Sequence, residues 1–352
     1  MIAAPSPTAH RLKRWMMHNA RDLAPLATLL ALVLFFSIFA SGFFSSYTLT
    51  SVLKQASTRA IVATGLTFVL LCAEIDLSVA LVATLSACQM GVVFHWILNH
   101  HPPLLSLTGA DGAVEVTALG ILLVLFIPTL SGLLIGLLNG VLTIWSRLPS
   151  FIITLAMMEV ARGLASFITR GAQYPQMPAL LPAVANESFS LGFGFELPYS
   201  VFVCGVILLI AHVVLGYTRF GRYVYMIGGN REAARLAGVR TGAVVVACLA
   251  ICGMTASLGG LMNAGWLNSA GVNQNQHLLL EAIACVVLGG TSLFGGVGGI
   301  KYTVIGVLAF TVLDVGLGYV TWVDEFLRRS VMGVVLLSAL LLNGQLAKIR
   351  DR

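Results

Sequence analysis

The sequence predicts an all-α, polytopic membrane protein of about ten transmembrane helices, some of them interrupted, with one short helix on the cytoplasmic side. Three observations predict it. The 352 residues are 58% hydrophobic and only 10% charged, with a mean hydropathy of +0.94; soluble domains carry about 25% charged residues. Lipid must therefore be the main solvent. Apolar runs of about 18 residues or more recur along the chain, the length that crosses a bilayer as helix. Polar residues, in contrast, gather in a few places, above all in Thr218–Thr241, TRFGRYVYMIGGNREAARLAGVRT.

Ten spans follow in order, at about 23–44, 57–73, 77–98, 116–144, 150–169, 199–217, 242–263, 279–296, 300–320 and 328–345. Arg11, Lys13, Arg14 and Arg21 precede the first. That start resembles a signal peptide, but the apolar run is long and no small-residue cleavage site follows closely. It reads as an uncleaved span behind a cytoplasmic tail, 1–22. An even number of spans puts both tails on one side. The basic N-tail, Arg147, the polar island 218–241 and the C-tail (Lys348, Arg350, Arg352) then all face the cytoplasm. Arg59, Arg328 and Arg329 fall at the opposite face, against the rule. Segments 99–115 and 170–198 are external. The second holds Pro175, Pro178, Pro182 and Pro198, so it is semi-rigid, either a docking surface or a connector. The chain reads as one transmembrane domain over 1–352.

The net charge of +6 lies mostly in the tails and the island, so it gives no argument for nucleic acid. Cys72, Cys88, Cys204, Cys248, Cys252 and Cys285 all lie in apolar segments without CxxC or paired Cys/His spacing, and read as small buried hydrophobes.

The middle of the island reads as a helix of about two turns. Asn230 is a good N-cap, Glu232 sits in the first turn, Arg235 lies towards the far end, and Gly238 is a natural stop. Such a helix is not stable alone in water, so it must dock on its own chain or on a partner at the membrane face.

An internal echo relates 62–86 to 282–306. Each runs apolar helix, small polar break, apolar helix, with breaks AEIDLSVA (73–80) and GGTSLFGGVGG (289–299). Transporters often hold interrupted helices on the solute path. Gly132, Gly136 and Gly140, four apart, predict close helix packing. Asn139 beside them either ties helices together or faces a wet cavity. Glu74 and Asp76 lie in the first break, where a carboxylate must face protein or water. Two roles fit Asp76, capping the span that follows and lining the solute path. Glu159 and Arg162, one turn apart, predict a local ion pair. Glu281 and Asp314 read as lone acids near or within spans. His95, His100, His101 and Trp96 read as interfacial anchors.

GGVGGIKYT (295–303) is not a phosphate loop, because no Gly directly precedes Lys301 and the segment sits between spans. No other Walker-like sequence occurs, so this chain cannot hydrolyse ATP itself. No catalytic triad order, HExxH or dinucleotide fingerprint stands in a suitable context. The expectation is a non-catalytic membrane subunit with no cofactor or metal of its own.

Four stretches carry a resemblance spread over most of the chain: EIDLSV (74–79), GLLNGVL (136–142) leading into RLPSFIITLAMMEVARGLA (147–165), RFGRYVYMIGGNREAARLAGV (219–239) and EAIACVVLGGTSLFGGVGG (281–299). In these the chain resembles the permease subunits of bacterial ATP-binding-cassette (ABC) importers for ribose and related monosaccharides, the family of ribose, xylose, arabinose, galactose and autoinducer-2 permeases. The resemblance implies that the island is a coupling loop seated in a cleft of the ATP-binding subunit. Gly228, Gly229, Asn230, Arg231, Glu232, Ala233, Ala234, Arg235, Leu236 and Gly238 would form that contact. It also implies two permease subunits, identical or paralogous, and an ATPase dimer that binds the ATP and Mg. A periplasmic sugar-binding protein would dock on the other face, and the inner membrane would be the location, with both termini cytoplasmic.

The chain departs from the family where Ala73-Glu74-Ile75-Asp76-Leu77-Ser78-Val79-Ala80 replaces the usual Gly-Gly-Ile-Asp-Leu-Ser-Val-Gly, and at Glu159 and Asp314. These departures leave the solute open, and with it the choice between a homodimer and a heterodimer. Expected solute-path residues are Asp76, Ser78, Asn139, Asn263, Asn268 and Glu281. The alternative is a secondary transporter driven by an ion gradient, with Glu74, Asp76, Glu159 or Asp314 carrying protons; it leaves the arginine-rich helix without a purpose.

Overall fold

The computed structural model describes residues 7–101, 105–107, 114–192 and 195–350, and the side chains of 23–101, 116–192, 195–339 and 341. The basic side chains of both tails, Arg11, Lys13, Arg14, Arg21, Lys348, Arg350 and Arg352, lie outside the described residues.

The helices run α1 (Pro7–Phe39), α2 (Ser46–Leu71), α3 (Val79–His100), α4 (Ala118–Ser146), α5 (Ser150–Thr169), α6 (Leu180–Asn186), α7 (Tyr199–Tyr217), α8 (Arg219–Gly229), α9 (Arg231–Leu236), α10 (Thr241–Leu267), α11 (Leu278–Leu288), α12 (Ile300–Gly318) and α13 (Glu325–Arg350). All but α6, α8 and α9 coincide with expected spans. Among the described residues, α3, α4, α5, α7, α10 and α12 are long and apolar enough to cross a membrane.

The first helix already starts at Pro7, within the expected tail 1–22. Two further boundaries differ from expectation, each for a local reason. The second span starts at Ser46, not 57, because Ser45 caps it; the Ser45 hydroxyl accepts from the Thr48 N–H at 3.2 Å. Its first turns intersperse Ser46, Thr48, Thr50, Ser51, Lys54 and Gln55 with apolar residues, so they give no continuous apolar run. The eighth span stops at Leu288, not 296, where Gly289 and Gly290 (φ +95°) leave the helix. An eleven-residue helix rises only about 16 Å, so the irregular segment 289–299 completes that stretch.

Short two-stranded antiparallel ribbons stand beside the helices. They pair β1 (Leu105–Leu107) with β2 (Val114–Val116), β3 (Tyr174–Pro175) with β6 (Ser269–Ala270), and β4 (Ser188–Gly192) with β5 (Phe195–Pro198). Segment 170–198 is thus built structure. The Thr50 hydroxyl donates to Glu196 O (2.9 Å), Lys54 donates to Asn186 O, and His95 bonds Pro175 O (2.8 Å).

The core centres on α10, which packs on α2, α3 and α4. The glycine stripe of α4 makes the close approach expected of it. A Cβ at Gly136 would lie 2.2 Å from Leu249 O, and one at Gly132 2.5 Å from Gly253 O. The far face of α4 exposes Leu119, Leu122, Phe126, Leu134 and Leu138, as a lipid-facing surface does. All six cysteines are buried and unbridged.

The bundle has two distinct ends. At one, α8, α9, the breaks after α2 and α11, and the α4–α5 turn meet. The Gly296 N–H donates to Leu71 O at 3.0 Å, Tyr225 Oη to Gly298 O at 3.0 Å, and the Ile75 and Leu77 N–H groups to Ser150 Oγ and Thr154 Oγ1, both at 3.0 Å. At the other end lie the ribbons and α6.

Candidate functional site

Two features stand out, a docked helix pair at one end and a charged cavity towards the other. The polar island forms two helices rather than one. Thr218 caps α8, its hydroxyl accepting from the Gly221 N–H at 3.2 Å. Val224 and Ile227 bury into the core, and Phe220 stacks on Phe68 with centroids 6.3 Å apart. Gly228 lies so close to α2 that a Cβ would stand 1.8 Å from Leu71 O and 2.3 Å from Gly296 N. The sequence hid α8 because Gly228-Gly229 reads as loop.

At Asn230 the chain turns extended (φ −159°, ψ 106°) and α9 begins. Asn230 Oδ1 accepts from the Ala233 N–H at 2.9 Å, the expected cap. The helix closes at Gly238 (φ +83°), where Gly238 N donates to Arg235 O and Val239 N to Ala234 O. Within α9 only Ala234 is buried. Glu232, Arg235 and Leu236 point outward, with Leu236 77% exposed. Arg235 grips Glu232 twice, Nε to Oε2 at 3.0 Å and Nη2 to Oε1 at 2.7 Å. These hydrogen bonds from Arg235 hold the Glu232 carboxyl below its ordinary range. Inward, Arg231 Nη1 reaches Glu74 Oε1 at 2.7 Å.

The expected solute-path residues separate into three places. Asp76, Ser78 and Asn139 form one buried network. Asp76 Oδ1 accepts from Ser78 N (2.9 Å) and Ser78 Oγ (2.6 Å), and Asn139 Nδ2 donates to Ser78 Oγ at 3.0 Å. Asn139 thus ties α4 to the break. Asp76 does not cap α3 itself; it braces the turn ahead of it, because its oxygen is taken by Ser78 two residues on. Asn268 sits in the left-handed region (φ +47°) at the end of α10, exposed, with Oδ1 accepting from Met177 N at 2.9 Å. It stands apart from the cavity and fastens the 170–198 segment.

Asn263 and Glu281 line a cavity of about 420 Å³ walled by α2, α10, α11, α12 and α13. Here the lone-acid reading of Glu281 and Asp314 is corrected. Arg59 lies between them, Nε 2.8 Å from Glu281 Oε2 and Nη2 bonded to Asp314 Oδ2, with Nη1 3.3 Å from Thr311 Oγ1. Placing Arg59 at the outer face was also wrong. With α2 starting at Ser46, Arg59 lies about 20 Å along the helix and is buried. Around the rim, Arg329 Nη2 pairs with Glu325 Oε1 at 2.6 Å and Arg329 Nη1 bonds His277 Nε2 at 2.8 Å. Glu159 and Arg162 form the expected local pair, loosely, at 3.6 Å on an exposed face.

The sequence overlooked Gln274, Asn275 and Arg328 as cavity residues. The first two sit in the turn between α10 and α11, where the run NQNQH reads as loop.

A lipid-exposed helical bundle with a polar cavity at one end and a docked helix pair at the other has the build of a membrane transport permease. The chain belongs to the family described as branched-chain amino acid transport system / permease component, which matches residues 48–340. It is similar to the ribose import permease of Escherichia coli K12, 34% identical over 341 residues, 95% of each chain. It is also similar to the fructose import permease of Rhizobium meliloti, 33% identical over 308 residues, covering 86% of this chain and 79% of that one. The galactose/methyl galactoside import permease of E. coli K12 is 31% identical over 327 residues, covering 90% and 91%. No solved structure matches the chain. The protein is a multi-pass membrane permease related to sugar import permeases.

Proposed function

We propose that the chain is the membrane-spanning subunit of an ABC importer for a monosaccharide or related small polyhydroxylated solute, with ATP hydrolysed by a separate subunit. The observation that carries the reading is α9, a short capped helix whose outward residues are exposed and whose root is fixed to both interhelical breaks. A rigid element of that kind passes a partner's movement into α2, α7 and α10, where a loose loop would absorb it. The relatives named as ribose, fructose and galactose import permeases support the solute class. In this reading the α9 end faces the cytoplasm with both termini, and the protein resides in the inner membrane. It pairs with a second permease subunit and an ATPase dimer, and a periplasmic sugar-binding protein delivers solute to the ribbon end. The ion-gradient alternative loses ground because three of its four acids, Glu74, Glu159 and Asp314, are each paired with an arginine, which leaves Asp76 as its one carrier.

The test is uptake by the complete transporter in proteoliposomes. Replacing Glu232 or Arg235 by Ala should abolish solute-stimulated ATP hydrolysis and uptake while the permease stays inserted. Unchanged uptake in both variants would count against the reading. Uptake that persists without ATP and collapses with the proton gradient would replace it by the alternative.

A further inference from the structure

We propose that the outward strip of α5 is where a second copy of this chain packs, with Glu159 and Arg162 of each copy pairing across the contact. The inference rests on the importer reading, which calls for a second permease subunit but gives neither its face nor its identity. Depth is the first argument. Glu159 is the tenth and Arg162 the thirteenth of the 20 residues of α5, so they lie about 14 and 18 Å along a helix of about 30 Å. That is the middle of the hydrocarbon layer. Their side chains are nonetheless 62% and 52% exposed. A charge at that depth is unfavourable against lipid and belongs against protein or water. By contrast Arg59 and Asp314, also well inside long helices, are only 8% and 6% exposed.

The local pair does not remove the demand. At 3.6 Å it is too long for a hydrogen bond, so the guanidinium N–H groups and the carboxylate oxygens still need partners. Lipid tails supply none. Helices α4 and α7 also turn most of their length outward, yet neither contains an Asp, Glu, Lys or Arg. Lipid can cover those two, but it covers α5 only by stranding charge.

The spacing of the strip fits a helix partner. Ile152, Leu155, Glu159, Arg162 and Ser166 recur at alternating steps of three and four, the pattern of a seam between two parallel helices. Ile152 and Leu155 are exposed there. The charges then select the partner. Two copies inserted in one membrane share their orientation, so the two-fold axis between them runs along the membrane normal. Each residue of the strip meets its own counterpart at equal depth. Glu159 and Arg162 differ in depth by about 4.5 Å, a distance that a long arginine side chain spans. Each guanidinium can sit between its own Glu159 and that of the other copy, and the four charges cancel in one ring. A different chain would need an acid and a base at the same two depths; a second copy supplies them by symmetry.

The experiment is cysteine cross-linking of the complete transporter in proteoliposomes, with copper phenanthroline as oxidant. The native cysteines are all buried, so the unaltered chain serves as the blank. Leu155→Cys stands on the strip, while Leu134→Cys on α4 and Leu209→Cys on α7 are equally outward controls. Leu155→Cys should give a covalent band of twice this chain's mass, and the controls should give none. Charge is tested with two differently tagged variants, Glu159→Arg, which makes the strip wholly basic, and Arg162→Glu, which makes it wholly acidic. Co-expressed, they should form mixed pairs over like pairs by at least about 10-fold. A purely local role for the two charges gives no such preference. Cross-linking at Leu155 leaves both charges intact, so a charge variant that fails to fold does not remove the test.

A band from either control without one from Leu155→Cys overturns the proposal, and so does a Leu155 cross-link to a different permease chain. Mixed and like pairs in equal amounts overturn the pairing of Glu159 with Arg162 across the contact. A transporter that pumps solute with its ATPase yet gives no Leu155 cross-link removes the contact and leaves the importer standing. A Leu155 dimer without ATP-driven uptake supports the contact and removes the importer reading instead.

Discussion

Arg231 and Glu74 form an ion pair whose two halves live in different solvents. Nη1 and Oε1 are 2.7 Å apart, yet the Glu74 side chain is 8% exposed and that of Arg231 48%. The carboxylate depends on the pair, because it is nearly dry. The guanidinium can turn to water.

The two single substitutions should therefore differ. Arg231→Ala leaves a buried carboxylate unpaired and should cost about 1–3 kcal/mol. Glu74→Gln keeps an acceptor for Arg231 and should cost less than about 1 kcal/mol. Adding Glu74→Gln to Arg231→Ala should recover most of the loss. Thermal unfolding midpoints in detergent read all three, and a larger effect of Glu74→Gln would contradict the account.

Arg59 is the converse case, a cation with two acids on other helices. Arg59→Met strands Glu281 and Asp314 and should lower stability by about 3–5 kcal/mol, seen as reduced yield and an early melt. Glu281→Gln and Asp314→Asn in that background should restore much of it. No rescue by the neutral pair would mean that lost packing, not stranded charge, sets the cost.

Adjacent glycines in α8 make a matched comparison. A Cβ at Gly228 would collide with Leu71 O, while one at Gly229 meets nothing within 4 Å. Gly228→Ala should loosen α8 from both breaks and speed amide exchange around 71–74 and 295–298. Gly229→Ala should be neutral or stabilising by up to about 1 kcal/mol. Equal exchange in the two variants would show that α8 is not seated through this contact.

A second matched pair tests the α4–α10 seam. Gly136→Ala places a methyl 2.2 Å from Leu249 O and should cost about 1–3 kcal/mol, whereas Gly163→Ala on α5 has open space and should be tolerated. Melting of the two purified variants side by side decides it.

The order of the long helices was legible in the sequence because each crossing needs a long apolar run, and the cap at Asn230 because capping is local chemistry. What depends on partners far along the chain was not. Nothing in spacing joins Arg59 to Glu281 or Asp314, and a mislaid start to α2 moved Arg59 from mid-helix to the surface. Asn263 and Glu281, expected on the solute path, lie in the lining of one cavity, but Gln274 and Asn275 beside them are invisible inside a turn. Asp76, Ser78 and Asn139 were each noticed for being polar in an apolar setting. The Asp76–Ser78 bonds are local chemistry, but that Asn139 joins them follows only from the packing that brings α4 against the break.

The joint where Leu71, Gly228 and Gly296 meet is made of main-chain atoms. No side chain sets its spacing, so no exchange of one residue for a slightly longer or shorter one can tune it. Any added carbon there is a jump of a whole atomic diameter. The cavity wall is the opposite, a set of interchangeable side chains that can drift one at a time. Sequence change within this architecture is thereby divided: the joint admits no added atom, while the cavity wall can change one side chain at a time.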